Sequence, residues 1–178
     1  MDKKSLIVAL LLWVLTLGST GSGCEEKDPG HYINKEKKFE ITFPEKWKIE
    51  EDKFNIDVIG LSPPTGTNDG FRENVYVYAK EIPEGKTADE VLDANISSMI
   101  NAITDFEPGK RDHYKIGEQE AARLEYKYRQ GRFKLSGTVY AVSANGRAYL
   151  IYTAAERKSA PLFEKAFTKT VDSFRVLQ

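Results

Sequence analysis

The sequence predicts an α+β domain with a largely antiparallel sheet, and three observations carry this prediction. Segments in which apolar and polar residues alternate, the period of a β-strand, occur in two groups along the chain. Two other segments carry apolar residues at helical spacing, one between the groups of strands and one near the end. Asn145-Gly146, between two of the later strands, is typical of a tight antiparallel hairpin. Strands, helix, strands and helix in this order indicate an α+β arrangement.

The first strands are short. Residues 39–43 and 47–49 alternate on either side of a proline, and two further strands are expected at residues 56–61 and 74–79. Loop 63–70, which is dense in turn-forming residues, separates the latter two. We expect the aromatic residues of the first two segments to be core residues: Phe39, Phe43 and Trp47.

Both helices have sequence signals. Thr87 and Glu90 have the spacing of a capping box, which predicts that a helix begins there. Pro161 is tolerated in the first turn of the second helix. The expected apolar stripe of the first helix is Leu92, Ile96, Met99, Ile100 and Ile103. That of the second is Leu162, Phe163, Ala166, Phe167, Thr170, Val171 and Phe174.

The late strands differ in their burial. Residues 120–129 alternate strictly, so one face carries apolar residues and the other faces solvent or a polar edge. The charged side chains of that second face are Arg123, Glu125, Lys127 and Arg129. Residues 147–155 are largely apolar on both faces, which predicts a central strand that is covered on each side.

The start of the chain has the three-part layout of an export signal. Lys3 and Lys4 precede an apolar run from Leu6 to Leu17, and small residues then lead to Cys24. A helix that crosses a bilayer needs about 20 apolar residues. The run has about a dozen, so a permanent transmembrane helix is the weaker alternative.

Cys24, the only cysteine, stands directly after the small residues. This arrangement resembles a lipoprotein lipobox, which implies a diacylglycerol on the Cys24 sulfur and cleavage after residue 23. Gly21 occupies the position where leucine is usual, and cleavage by the general signal peptidase, giving a secreted protein with a free thiol, is the alternative. The predicted organisation is a lipoprotein signal peptide at residues 1–23, the lipidated cysteine and a polar linker at 24–30, and one domain at 31–178.

Charge and cysteine content exclude several classes of function. The 26 basic and 27 acidic side chains give a net charge of -1, without the positive excess that favours nucleic acid. A single cysteine excludes an internal disulfide, a CxxC redox pair and a multi-thiolate zinc site.

Several stretches together resemble the PsbP family, including its DcrB-like bacterial relatives. They are Phe39-x-Ile41-x-Phe43-Pro44-x-x-Trp47, Leu61-Ser62-Pro63, Gly117 with Ala121-Ala122, the aromatic-rich residues 149–153, and Ser173-Phe174. The resemblance spans about residues 32 to 177. It implies the Mog1/PsbP-like fold, an α/β/α sandwich with a central, largely antiparallel sheet and helices on both faces. Relatives in oxygenic phototrophs are extrinsic subunits that support the water-oxidising photosystem and help retain its calcium and chloride. Other members are exported lipoproteins without an assigned activity.

The matching positions are packing and turn residues, so the resemblance transfers no catalytic or cofactor-binding residue. The two histidines, His31 and His113, have no recognisable catalytic context, and we expect no enzyme activity and no cofactor. Asp105, Glu107 and Asp112 near His113 could form a weak divalent-metal site, but solvated loop charges are the favoured interpretation, so no metal ligand is assigned.

Other candidate features have simpler explanations. The glycan acceptor pattern Asn95-Ile96-Ser97 falls inside the predicted helix and is discounted. Loop 63–70 and the basic turn 129–132 are candidate contact sites, because exposed loops commonly carry binding residues. The sheet tyrosines are interpreted as core residues rather than a binding platform: Tyr76, Tyr78, Tyr126, Tyr128, Tyr140, Tyr149 and Tyr152.

The predicted function is therefore a non-enzymatic binding or complex-assembly module, held by the lipid on the extracytoplasmic face of a membrane next to a protein partner. The alternative is a lipoprotein that binds a small ligand or a divalent metal and is accessory to transport.

Overall fold

A computed structural model describes residues 29–53, 55–66 and 70–178. Cys24 and the predicted signal peptide lie outside the described residues. The elements in chain order are β1 (His31–Asn34), β2 (Phe39–Thr42), β3 (Lys48–Lys53), β4 (Ile56–Leu61), β5 (Asn74–Glu81), α1 (Ala88–Ala102), β6 (Thr104–Ile116), β7 (Gln119–Gln130), β8 (Phe133–Ala144), β9 (Arg147–Glu156), α2 (Ala160–Asp172) and β10 (Arg175–Val176).

The strands form two sheets in which all pairings are antiparallel. The large sheet has the order β3-β4-β5-β9-β8-β7-β6, and the small sheet has the order β1-β2-β10. Strand β9 lies in the middle of the large sheet, and its interior residues are buried on both faces. The predicted α+β class, the antiparallel sheet and the central strand are all confirmed.

The two faces of the large sheet are covered by different elements. Helix α1 packs on one face through Val91, Leu92 and Met99. Helix α2 and the small sheet cover the other face, where Phe39 and Phe174 stack with ring centroids 5.8 Å apart. Helices on both faces give the expected α/β/α sandwich.

Local signals placed α1 and the last hairpin correctly. The Thr87 hydroxyl accepts a hydrogen bond from the Glu90 amide at 3.2 Å, and the Glu90 carboxylate accepts one from the Thr87 amide at 2.9 Å. Asn145 and Gly146 have φ values of +52° and +68°, as a type I′ turn requires. Both predicted helical stripes are too wide, however, because Ile100 and Leu162 are exposed.

Three strands were not predicted from the sequence: β1, β6 and the two-residue β10. Strand β1 begins at His31, at the predicted start of the domain, where no strand was expected. Strand β6 lies at the edge of the large sheet and is exposed over most of its length, so its residues do not alternate. Its register with β7 shifts twice, around Pro108. These irregularities explain why residues 104–116 read as loop rather than strand.

The chain enters the domain at one identifiable end of the large sheet. The carbonyl of Gly30 accepts a hydrogen bond from the amide of Phe43 at 2.9 Å, and the Phe43 ring occupies the space beside Gly60, near the end of β4. Strands β7 and β9 also end there, β5, β6 and β8 begin there, and α2 starts there. We call this end of the sheet the entry end. Within the described parts of the chain, no helix has the length and apolar character needed to cross a membrane.

Candidate binding groove

Helix α2 crosses its face of the large sheet diagonally. Near its start, Phe163 and Phe167 contact Trp47, which precedes edge strand β3, with ring centroids 6.4 and 6.1 Å apart. At its end, Asp172 accepts a hydrogen bond of 2.7 Å from the hydroxyl of Tyr114 on the opposite edge strand, β6. The small sheet covers the area on one side of this diagonal. The corner formed by β7 and β8 at the entry end is left open.

This corner is a groove of about 630 Å³ between the sheet and the first half of α2, which we call the α2 groove. Its floor includes Glu125, Lys127, Ser136, Thr138 and Thr153. Its walls include Pro161, Glu164, Phe167 and Thr168 of α2 on one side and Glu107, Pro108 and Gly109 of β6 on the other. The volume is within the roughly 300–1,000 Å³ range of small-molecule sites in proteins.

Arg123 forms the inner end of the groove and is held in one position. Its guanidinium donates two hydrogen bonds to the Asp112 carboxylate, of 2.6 and 2.7 Å, and lies over the ring of Tyr114. The paired guanidinium holds the pKa of the Asp112 carboxyl well below its usual range. The same hydrogen bonds raise the pKa of Arg123. A bidentate pair of this kind fixes a planar cation and is stronger than a single neutral hydrogen bond.

The floor and the α2 wall carry polar groups without partners among the described residues. The hydroxyls of Ser136, Thr138 and Thr168 make no hydrogen bond to another described residue, and Lys127 and Glu164 make no ion pair there. These five side chains are therefore free to contact a bound molecule. They project from a sheet and a helix rather than from loops, which keeps their spacing fixed.

The α2 groove is lined by hydroxyl, amine, guanidinium and carboxylate groups together with apolar ones. Its lining contains no histidine and no cysteine among the described residues. His113 lies outside the groove, with its Nε2 2.8 Å from Asp89 Oδ2. This hydrogen bond raises the pKa of His113 and lowers that of Asp89.

The structure does not bring the candidate metal ligands together. Asp105 is paired with Arg129 at 2.9 Å, and Glu107 lies 3.9 Å from Arg157. Asp112 is occupied by Arg123, as described above. His31 lies on β1 with its Nε2 3.3 Å from Glu40. Among the described residues, no three side chains of histidine, cysteine, aspartate or glutamate form a cluster that could hold a metal ion.

The sheet tyrosines belong to the core, as predicted. Tyr76 and Tyr152 stack with ring centroids 4.5 Å apart, and the Tyr152 hydroxyl donates to Asn95 Oδ1 at 2.7 Å. Burial raises the pKa of Tyr152 to about 12 and that of Tyr128 to about 12. Asn95 lies within α1 and faces the core through this bond, which agrees with discounting it as a glycan acceptor.

The two candidate contact loops lie at the entry end. Residues 63–66 and 70 of the first loop are described, and its base is fixed by the buried Glu73. The Glu73 carboxylate accepts hydrogen bonds from Ser62 at 3.2 Å and from Ser159 at 2.5 Å. The basic turn 129–132 joins β7 to β8, and Arg132 lies over the ring of Phe133.

Comparison with solved structures shows that the chain has a Mog1/PsbP-like fold, which confirms at the level of the fold the resemblance seen in the sequence. It is similar to the solution structure of cyanobacterial PsbP (CyanoP) from Synechocystis sp. PCC 6803, with 18% identity, a TM-score of 0.58, and 82% of this chain and 91% of that chain covered. No protein-family model matches the chain, and no curated protein matches it in sequence.

Two further proteins share the fold. LpqN of Mycobacterium tuberculosis, which is involved in cell envelope biogenesis, has 11% identity and a TM-score of 0.61 over 79% of this chain and 83% of that chain. A Pseudomonas aeruginosa protein of unknown function, described as a putative regulator, has 13% identity and a TM-score of 0.57 over 80% of this chain and 93% of that chain.

The sequence did not predict the α2 groove, although one of its signals was visible. The charged face of β7 was expected to meet solvent or a polar edge, and Glu125 and Lys127 do line the open corner. The expectation that both faces of the sheet are covered needs correction at this corner. The path of α2 decides where the opening lies, and that path depends on contacts distant in sequence.

Proposed function

We propose that the protein is an exported lipoprotein, attached to the extracytoplasmic face of a membrane through Cys24, whose PsbP-like domain is a non-enzymatic binding or assembly module. The observation that carries the binding role is the α2 groove, a rigid opening with unpaired polar side chains. A polypeptide segment of a neighbouring protein suits it, because its floor and wall present hydroxyl, amine and carboxylate groups that could pair with backbone and side-chain groups. Gly30 follows Cys24 by six positions, so the anchor would hold the domain within about 20 Å of the membrane.

The size of the groove also supports a second candidate, a lipoprotein that binds a small polar ligand and is accessory to transport. A volume of about 630 Å³ would enclose such a ligand. A divalent metal is less well supported, because the carboxylates near His113 are already paired with basic side chains. The partner and the small ligand would use the same opening, so one set of groove variants tests both.

The anchor is tested by Cys24→Ser in the full chain. We expect the substitution to abolish incorporation of a labelled lipid precursor and to move the protein to the soluble fraction. Stable membrane retention needs more than one acyl chain, and a diacylglycerol supplies two. The control is Ser19→Ala, which changes the same segment but keeps the cysteine. Membrane retention of Cys24→Ser through a carbonate wash would show that the anchor is not the lipid.

The groove is tested by Thr138→Arg, which would place a long side chain in its floor. The matched control is Ser97→Arg, which adds the same side chain on the exposed face of α1. The acylated proteins are crosslinked and purified from their own membrane. Recovery of a stoichiometric protein complex with the wild type and Ser97→Arg, and its loss with Thr138→Arg, supports the assembly module. If the wild type is purified without a partner protein, the small-ligand alternative is favoured. If both variants recover the complex equally, the groove has no role in assembly.

A further inference from the structure

The entry end of the sheet carries the two most exposed large aliphatic side chains of the described residues. Leu162 is 82% exposed and Ile100 is 59% exposed. Leu162 lies in the first turn of α2, just after β9 ends, and Ile100 lies in the last turn of α1, just before β6 begins. The two helices cover opposite faces of the sheet. Both side chains therefore lie near the same end of the molecule, one on each side of the sheet.

The same end carries an excess of positive charge. The end of β7, the turn after it and the start of β8 contain four basic residues and no acidic one over residues 127–134: Lys127, Arg129, Arg132 and Lys134. Arg129 pairs with Asp105, whereas the other three have no acidic partner among the described residues. Of the acidic residues described on this side, Glu107 lies next to Arg157 and Glu156 next to Lys158, whereas Glu45 and Glu164 make no ion pair with a described residue.

The opposite end of the sheet has a different composition. Its β3–β4 turn contains Glu51, Asp52 and Lys53, and its β6–β7 turn contains Glu118 between Lys115 and Glu120. Charges of both signs are mixed in these turns, and acidic residues outnumber basic ones. The β1–β2 turn also lies at this end, because Arg147 at the start of β9 donates to the carbonyl of Glu36, and it contains three lysines beside Glu36. Of the turns compared at the two ends, only residues 127–134 combine four basic residues with no acidic one.

The position of the entry point connects these observations. Gly30 is held against Phe43 at the entry end, and Cys24 precedes Gly30 by only six residues. A lipid on Cys24 would keep this end, rather than the opposite one, within about 20 Å of the headgroups. Basic side chains flanked by exposed aliphatic ones are the combination that binds anionic membrane surfaces.

We propose that the entry end is a membrane-docking face for anionic phospholipid. Lys127, Arg132 and Lys134 contact the lipid phosphates, and Leu162 and Ile100 enter the boundary between headgroups and acyl chains. The geometry suits a membrane better than a protein pocket, since the apolar side chains project from both sides of the sheet and a flat surface can meet both. The proposal rests on the anchor proposed above, which brings this end to the membrane.

Docking would fix the orientation of the domain. The α2 groove opens next to the basic residues, with Lys127 in its floor and Arg157 and Pro161 at its border. A docked domain would therefore hold the groove at the level of the headgroups. The protein partner would then be a membrane protein or a protein bound at the same surface, rather than one that diffuses freely.

The test uses residues 24–178 with Cys24→Ser, so that any binding comes from the protein and not from a lipid. The chain is sedimented with vesicles of phosphatidylcholine and with vesicles of phosphatidylcholine mixed with phosphatidylglycerol. We expect binding to the mixed vesicles only, and its loss at high salt, because screening weakens exposed charge interactions. Each basic residue near such a surface contributes about fivefold in partition.

The decisive experiment compares two double variants, each of which reverses two charges at one end of the sheet. Arg132→Glu with Lys134→Glu should lower the partition at least about tenfold, whereas Lys53→Glu with Lys115→Glu, the same change in net charge at the opposite end, should leave the partition nearly unchanged. All four side chains are exposed, and circular dichroism confirms that each variant is folded. Leu162→Ser should also weaken the partition, with Ile33→Ser as its control.

Two outcomes overturn the docking face: no binding to the mixed vesicles, or an equal loss with the two charge-reversed pairs. If the wild-type domain does not bind vesicles while the variant Arg132→Glu with Lys134→Glu loses the crosslinked complex, that combination would assign the entry end to a protein partner instead of the membrane. The result is independent of the anchor. If the full chain takes the lipid label but the Cys24→Ser protein does not bind the vesicles, only the docking face is contradicted. If the Cys24→Ser protein binds the vesicles but the full chain takes no label, only the anchor is contradicted.

Discussion

Replacing Trp47 by alanine tests whether the segment between β2 and β3 is core or contact surface. Trp47 is 9% exposed and meets the edges of Phe163 and Phe167 with ring centroids 6.4 and 6.1 Å away. A buried aromatic side chain removes about 150–250 Å² from water, which at about 25 cal/mol per Å² corresponds to about 4–6 kcal/mol. Alanine retains a small part of this, so we expect the free energy of unfolding to fall by about 3–5 kcal/mol.

The assay is urea denaturation followed by far-ultraviolet circular dichroism. Tryptophan fluorescence is unsuitable for the variant, because Trp47 is the only tryptophan after the predicted signal peptide. The matched control is Leu162→Ala on the same helix as Phe163, which should change the free energy by about 0.5 kcal/mol or less because the side chain is exposed. A double-mutant cycle with Phe167→Ala should give a coupling of about 0.5–1.5 kcal/mol for the edge-to-face pair.

Two results would refute this reasoning. A loss of less than about 1 kcal/mol in Trp47→Ala would mean that the ring contributes little to the core, against the burial and contacts described. Loss of partner binding with an unchanged melting temperature would make Trp47 a contact residue. Additivity with Phe167→Ala would show that the diagonal path of α2 does not depend on this pair.

Three further predictions concern packing, pH and metal. Gly60→Ala should cost about 1–3 kcal/mol in urea denaturation, because the Phe43 ring occupies the space that a Cβ would need; an unchanged midpoint would contradict the close approach. The hydrogen bond to Asp89 raises the pKa of His113 and lowers that of Asp89, so the pair stabilises the fold fully between about pH 4 and about pH 6.5 and less as the pH rises through the raised His113 value. An NMR titration should give a lower His113 pKa in Asp89→Asn, and an unchanged value would exclude the contact. Chelator treatment should shift the melting temperature by no more than a few degrees, and unfolding by chelator would favour the metal-binding alternative.

Elements whose signals are local were predicted from the sequence. The Thr87 and Glu90 side chains satisfy backbone groups within one turn of helix, so α1 began where the capping box indicated. Asn145-Gly146 adopts positive φ by its own preference, which fixed the last hairpin. Burial on both faces makes a strand apolar throughout, and β9 was recognised as central for that reason.

Elements that depend on distant contacts were not predicted. Strand β6 has exposed residues on both faces and is held by hydrogen bonds to β7, so its sequence shows no period. Leu162 has the spacing of a core residue, yet α2 turns Phe163 toward Trp47 and leaves Leu162 in solvent. The α2 groove follows from the same tilt. A candidate site that is created by the path of a helix can be identified only from the tertiary structure.

The two edge strands of the large sheet affect how readily the protein self-associates at high concentration. A free edge is a template on which another chain can add a strand. Strand β3 presents a run of charged residues from Lys48 to Lys53, and β6 has charged residues, Pro108 and two breaks in register. An incoming strand would meet unmatched charges on one edge and an irregular ladder on the other. Neighbouring copies should therefore stay separate at these edges, and edge-to-edge growth of the sheet into fibrils is opposed at both.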